Sequence, residues 1–304
     1  MILFEVENRF LRETFETRLR NLEKALEIDV HLLEFNDIRY RLQASVKDPR
    51  YMRLSIKIPA ASPQVPMEDS LPLGAIEAVE EAYGTLVEVQ KVPEAGYDLT
   101  LKVDLHQLPP TEEERFKLMT KLAALRAIIM GAPLRETLKS LLSQPMAEMG
   151  ETEGGGLQTA YEKKKNIVIL HRPGEFFYAF PQSEKVTIVF PMRFKDSNDA
   201  ALGVAFLQEF MEARRGSASS CAPPCSYSRT PPQELEDAPP LEKQPNAGFV
   251  SFIIFRRHVD GERLEKTTWA ISTFHAYVSY HVKCSKAFMH TRMRTRVESL
   301  IQDK

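Results

Sequence analysis

The chain has 304 residues, 43% of them hydrophobic, and a formal net charge of −2, which suits a soluble globular protein of two domains. Three cysteines, Cys221, Cys225 and Cys284, make neither a disulfide framework nor a metal quartet and fit a reducing compartment. Glu5 and Glu7 stand where a signal peptide needs its apolar run. No stretch approaches eighteen uninterrupted apolar residues, so a cytosolic protein with no transmembrane segment is expected.

The chain opens on a short apolar lead, Met1–Val6. From Arg9 to Leu26 it lacks Gly and Pro and sets Phe10, Leu11, Phe15, Leu19, Leu22 and Leu26 near helical spacing. Three strands are predicted next, at Glu27–Phe35, Arg39–Val46 and Tyr51–Ile58. The first and third alternate apolar with polar residues, and Asn36-Asp37 and Asp48-Pro49 supply the turns. Leu73–Val89 reads as a helix and Tyr97–Leu105 as a fourth strand. Thr111, with Glu114 three places on, has the form of a capping box. The helix it opens is predicted to reach about Leu142, with a break near Gly131–Pro133.

Met149–Gly156 is acidic, glycine-rich and poor in apolar residues, which marks a linker at 149–160. The element order then repeats. Strands are predicted at Asn166–Leu170, Phe176–Phe180 and Lys185–Phe194, and a helix at Asp199–Arg215 capped by Ser197 or Asn198. Gly248–His258 is another strand. Both halves read strand, strand, strand, helix, strand, helix. The expected fold class is α+β, with two similar α/β domains, each an antiparallel sheet with helices on one face, plus a long C-terminal α-helix. The domains are predicted at 1–148 and 161–261. Residues 216–247, with seven prolines and little to bury, read as a disordered-type insertion in the second.

Motifs for chemistry are missing. The sequence has no GxxxxGK[ST] phosphate loop, no GxGxxG, no HExxH and no GxSxG. Cations flank Cys284, where they could lower a thiol pKa, but a small residue packed in a helix is the expected reading. A binding or assembly protein without cofactor or metal is expected, not an enzyme.

Residues 262–304 form the most distinctive stretch. Ile271, Phe274, Val278, Val282, Ser285, Met289, Met293 and Leu300 recur at one helical face. A helix of this length would span about 60 Å, more than one small domain covers. Lys283, Lys286, His290 and Arg294 form a second row, and no acidic residue lies between Lys266 and Val297. The segment carries eight Lys/Arg against four Asp/Glu, whereas the rest of the chain is net negative. Solvated helices normally alternate sign, so the two rows predict one packing face and one face for a negatively charged partner. Anionic lipid would call for a large interfacial apolar flank with Trp. Nucleic acid would call for aromatic platforms or a known fold, and is not expected.

The run His281–Arg294, HVKCSKAFMHTRMR, closely resembles the C-terminal helix of the subunit 2 family of the actin-related protein 2/3 complex, a heptameric actin nucleator. Met1–Asn8, Glu94–Asp98, Val186–Arg215, Ser226–Leu235 and Gly248–His258 resemble further segments of that family in the same order. The resemblance implies two α/β domains followed by a long helix, with neither enzymatic activity nor a nucleotide site. It implies pairing with subunit 4 to form the core that holds actin-related proteins 2 and 3. It also implies contact with the actin filament from which a branch grows. Arg214, Arg215, Lys283, Lys286, Arg292 and Arg294 match the family's filament-contacting basic positions. The stripe Ile271, Phe274, Val278, Val282, Met289 and Met293 is then the face expected to meet subunit 4.

Overall fold

The computed structural model describes residues 5–21, 27–34, 37–59, 67–68, 70–143, 166–172, 175–216, 222–236, 238 and 244–302. It separates into two compact units, Met1–Glu136 with Arg172–Gly174, and Thr137–His171 with Glu175–Lys304. The linker expected at 149–160 lies outside the described residues, as do Met1–Phe4 of the lead and the tail Leu22–Leu26 of the first helix.

In the first unit, helix α1 (Arg9–Arg20) begins where the Asn8 side chain accepts the Leu11 amide, satisfying one of the unpaired donors of a helix start. Strands β1 (Ile28–Glu34), β2 (Ile38–Ser45) and β3 (Asp48–Lys57) follow, then the two-residue pair β4 (Met67–Glu68) and β5 (Leu71–Pro72). Helix α2 (Ala75–Tyr83), strands β6 (Val87–Val89) and β7 (Leu99–Asp104), helix α3 (Glu112–Ala123) and the part of helix α4 (Leu125–Leu142) up to Glu136 complete the order. The main sheet runs β1-β2-β3-β7-β6, antiparallel throughout. Its register sets Leu42 opposite Leu54 and Leu54 opposite Leu101. With Tyr40, Met52 and Val103 these form one buried row, because alternate residues of a strand share a face. Leu11, Phe15, Val79, Met119, Leu122 and Ile129 from the helices join the same core.

Three local expectations fail here for identifiable reasons. The helix predicted through Val89 stops at Tyr83, where Gly84 turns the backbone to φ +57°, a conformation that costs Gly little. Val87–Val89 then forms the edge strand of a five-stranded sheet, where four strands were expected. The next helical stretch breaks at Ala124, not near Gly131–Pro133, and α4 carries Pro133 in its interior. Thr111 does cap α3, accepting the Glu114 amide at 3.3 Å. The Glu114 carboxylate accepts a hydrogen bond from the Thr111 hydroxyl at 2.6 Å, in place of the backbone amide a full capping box would engage.

The second unit contains β8 (Ile167–Arg172), β9 (Glu175–Pro181), β10 (Lys185–Pro191), α5 (Ser197–Gly216), β11 (Cys225–Ser228), β12 (Phe249–Phe255), α6 (Arg263–Ser272) and α7 (Phe274–Gln302). Its sheet order is β11-β12-β10-β9-β8. Strand β11 lies within the insertion expected to be disordered. It pairs antiparallel to β12 with Tyr227 opposite Val250, and Gln233–Leu235 forms a 3-10 turn. Proline content hid a pairing that depends on backbone groups alone. Helix α5 is capped by Asp196, whose carboxylate accepts the Asp199 amide at 2.8 Å, rather than by Ser197 or Asn198.

Helix α5 is anchored by a close approach at Gly203. A Cβ built there would lie 2.4 Å from Cε2 of Phe194, and that ring stacks on His275. Gly203→Ala gains about 1 kcal/mol of helix propensity, whereas forcing an atom into a filled site costs about 1–3 kcal/mol. The overlap is deep and the ring is confined, so a lower urea midpoint is expected for this variant. A midpoint that rises would mean that the Phe194 ring swings clear.

Candidate interaction surface on the C-terminal helices

The helix predicted over 262–304 divides at Thr273 into α6 and α7. Thr273 leaves helical geometry at φ −99°, ψ 0°, and its hydroxyl donates to the Trp269 carbonyl at 2.7 Å. Such back-bonding competes for a helix carbonyl and bends the axis.

The apolar stripe crosses this bend and continues along α7, but its neighbours change halfway. Phe274 sits among Phe252, Phe190 and Phe210 at ring-centroid distances of 4.9, 5.1 and 5.8 Å. Ile271, Val278 and Val282 are buried too. Phe206 of α5 stacks on His281 at 4.9 Å and meets Tyr277 edge-on at 5.9 Å. Burial depresses the His281 pKa, because desolvation disfavours its charged form. Contact positions fall along α7 as they rise along α5, so the two helices pack antiparallel. These four stripe residues, expected to face another chain, are buried in the core of their own unit. Periodicity identifies an apolar face but not the surface that covers it.

Beyond this packing α7 runs on for about 24 Å from Lys286 to Gln302. There Met289 is 43% exposed, Met293 67%, Val297 55% and Leu300 52%. At 100° per residue these four share the face of Val278 and Val282. The stripe thus passes from covered to bare within one helix.

The basic positions are dispersed. Lys283 and Arg294 are exposed, and the Arg292 guanidinium lies over the Phe288 ring at 5.6 Å. Arg214, at the far end of α5, donates to the Pro223 carbonyl, and the side chain of Arg215 lies outside the described residues. Lys286, expected as a free cation of the basic row, is bound to the protein's own surface. Its Nζ donates to Asp199 Oδ1 at 2.6 Å and to Asp196 Oδ2 at 3.1 Å. Those carboxylates raise the Lys286 pKa. The Asp199 amide, and then Lys286, lower that of Asp196. Sequence reasoning missed both aspartates, although an Asp just before a helical stretch is a helix-start signal. Among the described residues no His/Cys/Asp/Glu group could hold a metal ion, and no helix is long and apolar enough to cross a membrane.

The sequence profile of the family described as "Arp2/3 complex, 34 kD subunit p34-Arc" matches residues 55–303. Actin-related protein 2/3 complex subunit 2A of Arabidopsis thaliana is 49% identical over 302 residues, covering 99% of this chain and 90% of the relative. Subunit 2B of the same organism is 34% identical over 292 residues, covering 96% and 74%. Subunit 2 of Schizosaccharomyces pombe is 28% identical over 300 residues, covering 98% and 91%.

Proposed function

This chain belongs to the p34-Arc family of Arp2/3 complex subunits, and from that premise we propose that it acts by presenting one helix, α7, to two kinds of partner. It is a structural subunit of an actin-nucleating assembly and not an enzyme. In this reading the bare stripe, Met289 and Met293 extended by Val297 and Leu300, packs against subunit 4. That pair forms the core on which actin-related proteins 2 and 3 sit. Ile271, Phe274, Val278 and Val282 serve the same contact indirectly, by fixing the root of the helix. The observation that carries this is the change of cover along a single apolar face. Four large apolar residues on one helical stripe are a contiguous patch, and such patches mark interaction sites.

The second partner is the actin filament. Lys283, Arg292 and Arg294 lie on α7, Arg214 and Arg215 on α5, and together they are proposed to hold the side of the mother filament. The setting is the cytoplasmic actin cytoskeleton. Cations facing an acidic polymer raise encounter rates, and their effect fades as salt shortens the Debye length from about 10 Å at 0.1 M to about 3 Å at 1 M.

The test is co-sedimentation of the whole complex carrying Lys283→Glu with Arg294→Glu against filaments over a salt series. Both side chains are exposed, so assembly should proceed normally. Filament affinity should fall by about tenfold or more, and wild-type affinity should weaken steeply with salt. Binding that ignores both the charge reversal and the salt would remove the filament contact from this helix.

A further inference from the structure

We propose that Lys286 is a positioning residue whose twin ion pairs with Asp196 and Asp199 fix the direction in which the bare half of α7 leaves the second unit. This rests on the reading of residues 289–300 as an assembly face, and extends it by naming what aims that face. Ordinary surface ion pairs contribute little because long side chains must be immobilised in water. This one differs in three respects. One ammonium serves two carboxylates. All three side chains are partly shielded, at 34%, 47% and 20% exposure. Asp196 is itself held rigid, since it accepts the Asp199 amide as the cap of α5.

Placement gives the contact its leverage. Lys286 stands four residues beyond Val282, the last deeply buried residue of the stripe, and three before Met289, its first exposed large apolar residue. Below it, rings pack α7 to α5. Above it, about 24 Å of helix follows. A swing of about 10° at this point displaces the helix tip by about 4 Å, most of the 5.4 Å helical pitch. Side chains of one helix fit between those of another at fixed register, so an error of that size mismatches the whole stripe. The two aspartates also draw Lys286 out of the set of cations free to meet a filament.

A filament-contact role and a positioning role for Lys286 predict opposite results for Asp199→Asn. Loss of that carboxylate leaves the lysine held by Asp196 alone, which leaves a filament contact intact or strengthened but loosens a positioned helix. The measurement is the distance distribution between nitroxide labels introduced through encoded keto amino acids at Glu209 and Glu298, two exposed positions about 35 Å apart along the helix axis. It is made on the full chain and needs neither subunit 4 nor actin, so it stands or falls separately from the assembly reading.

The unsubstituted chain and Lys286→Arg should give one narrow distribution. Lys286→Glu and Asp199→Asn should broaden it at unchanged helical circular dichroism. Lys286→Glu combined with Asp199→Lys should narrow it again. Unbroadened distributions in both single variants would overturn the proposal, and so would a double variant as broad as Lys286→Glu. Lower helical ellipticity in the single variants would also overturn it, since the pairs would then hold secondary structure, not direction.

Discussion

A chain carrying Met293→Asp is expected to fold as stably as the unsubstituted chain and yet to be missing from the assembled complex. In the chain alone Met293 is 67% exposed, and an aspartate there stays in water, a change worth within about 0.5 kcal/mol of folding stability. In a helix pair the same carboxylate must be desolvated without a partner, at a cost of several kcal/mol. Each 1.4 kcal/mol is tenfold, so incorporation should drop by on the order of 100-fold or more. Co-purification of tagged variants with subunit 4, alongside thermal unfolding of the chain itself, separates the two quantities. If Met293→Asp co-purifies as well as the unsubstituted chain, the distal stripe does not face subunit 4.

Phe274→Ala should give the reverse pattern, although Phe274 lies on the same helix. Its ring is buried and meets three other aromatic rings within 6 Å. Removing a buried Phe side chain costs about 3–5 kcal/mol, counting the cavity left behind. A domain is stable by only about 5–15 kcal/mol in all. A large fall in urea midpoint and in yield of folded chain is therefore expected before any partner is added. An unchanged midpoint with lost assembly would instead place Phe274 in the interface, as the family resemblance implied.

How much the amino-acid pattern discloses varies with how local the determining physics is. Strands β1, β2, β3 and β7 are legible to within a few residues, because burial on one face of a sheet imposes a period of two on the residues themselves. Strand β6 is hidden behind α2, since Val87–Val89 is short and continues a helical-looking run past Gly84. Strand β11 is hidden because Cys225–Ser228 sits between prolines, and its place depends on hydrogen bonds to β12 rather than on its own side chains. At the site the same division holds. The apolar stripe of α7 is plain in the sequence, yet Val282 and Met289 look alike there and differ only in what the fold brings beside them. Lys286 looks like one more member of a basic row. Its partner Asp199 is 87 residues away along the chain, and only the packing of α5 on α7 brings them together.

The division of α7 also has a consequence for inheritance. Between Phe274 and Val282, a change of side-chain volume has to be matched at Phe190, Phe206, Phe210 or Phe252, positions carried on the same gene and passed on with it. Between Met289 and Leu300, under the proposed pairing, the matching change must arise in a separately encoded polypeptide. One continuous helix is thus subject to two regimes of compensation, one internal to the locus and one between loci. Recombination can break the second kind of match and leaves the first intact. Chimeras exchanged between distant relatives would keep a sound second unit while mismatching the outer turns of α7.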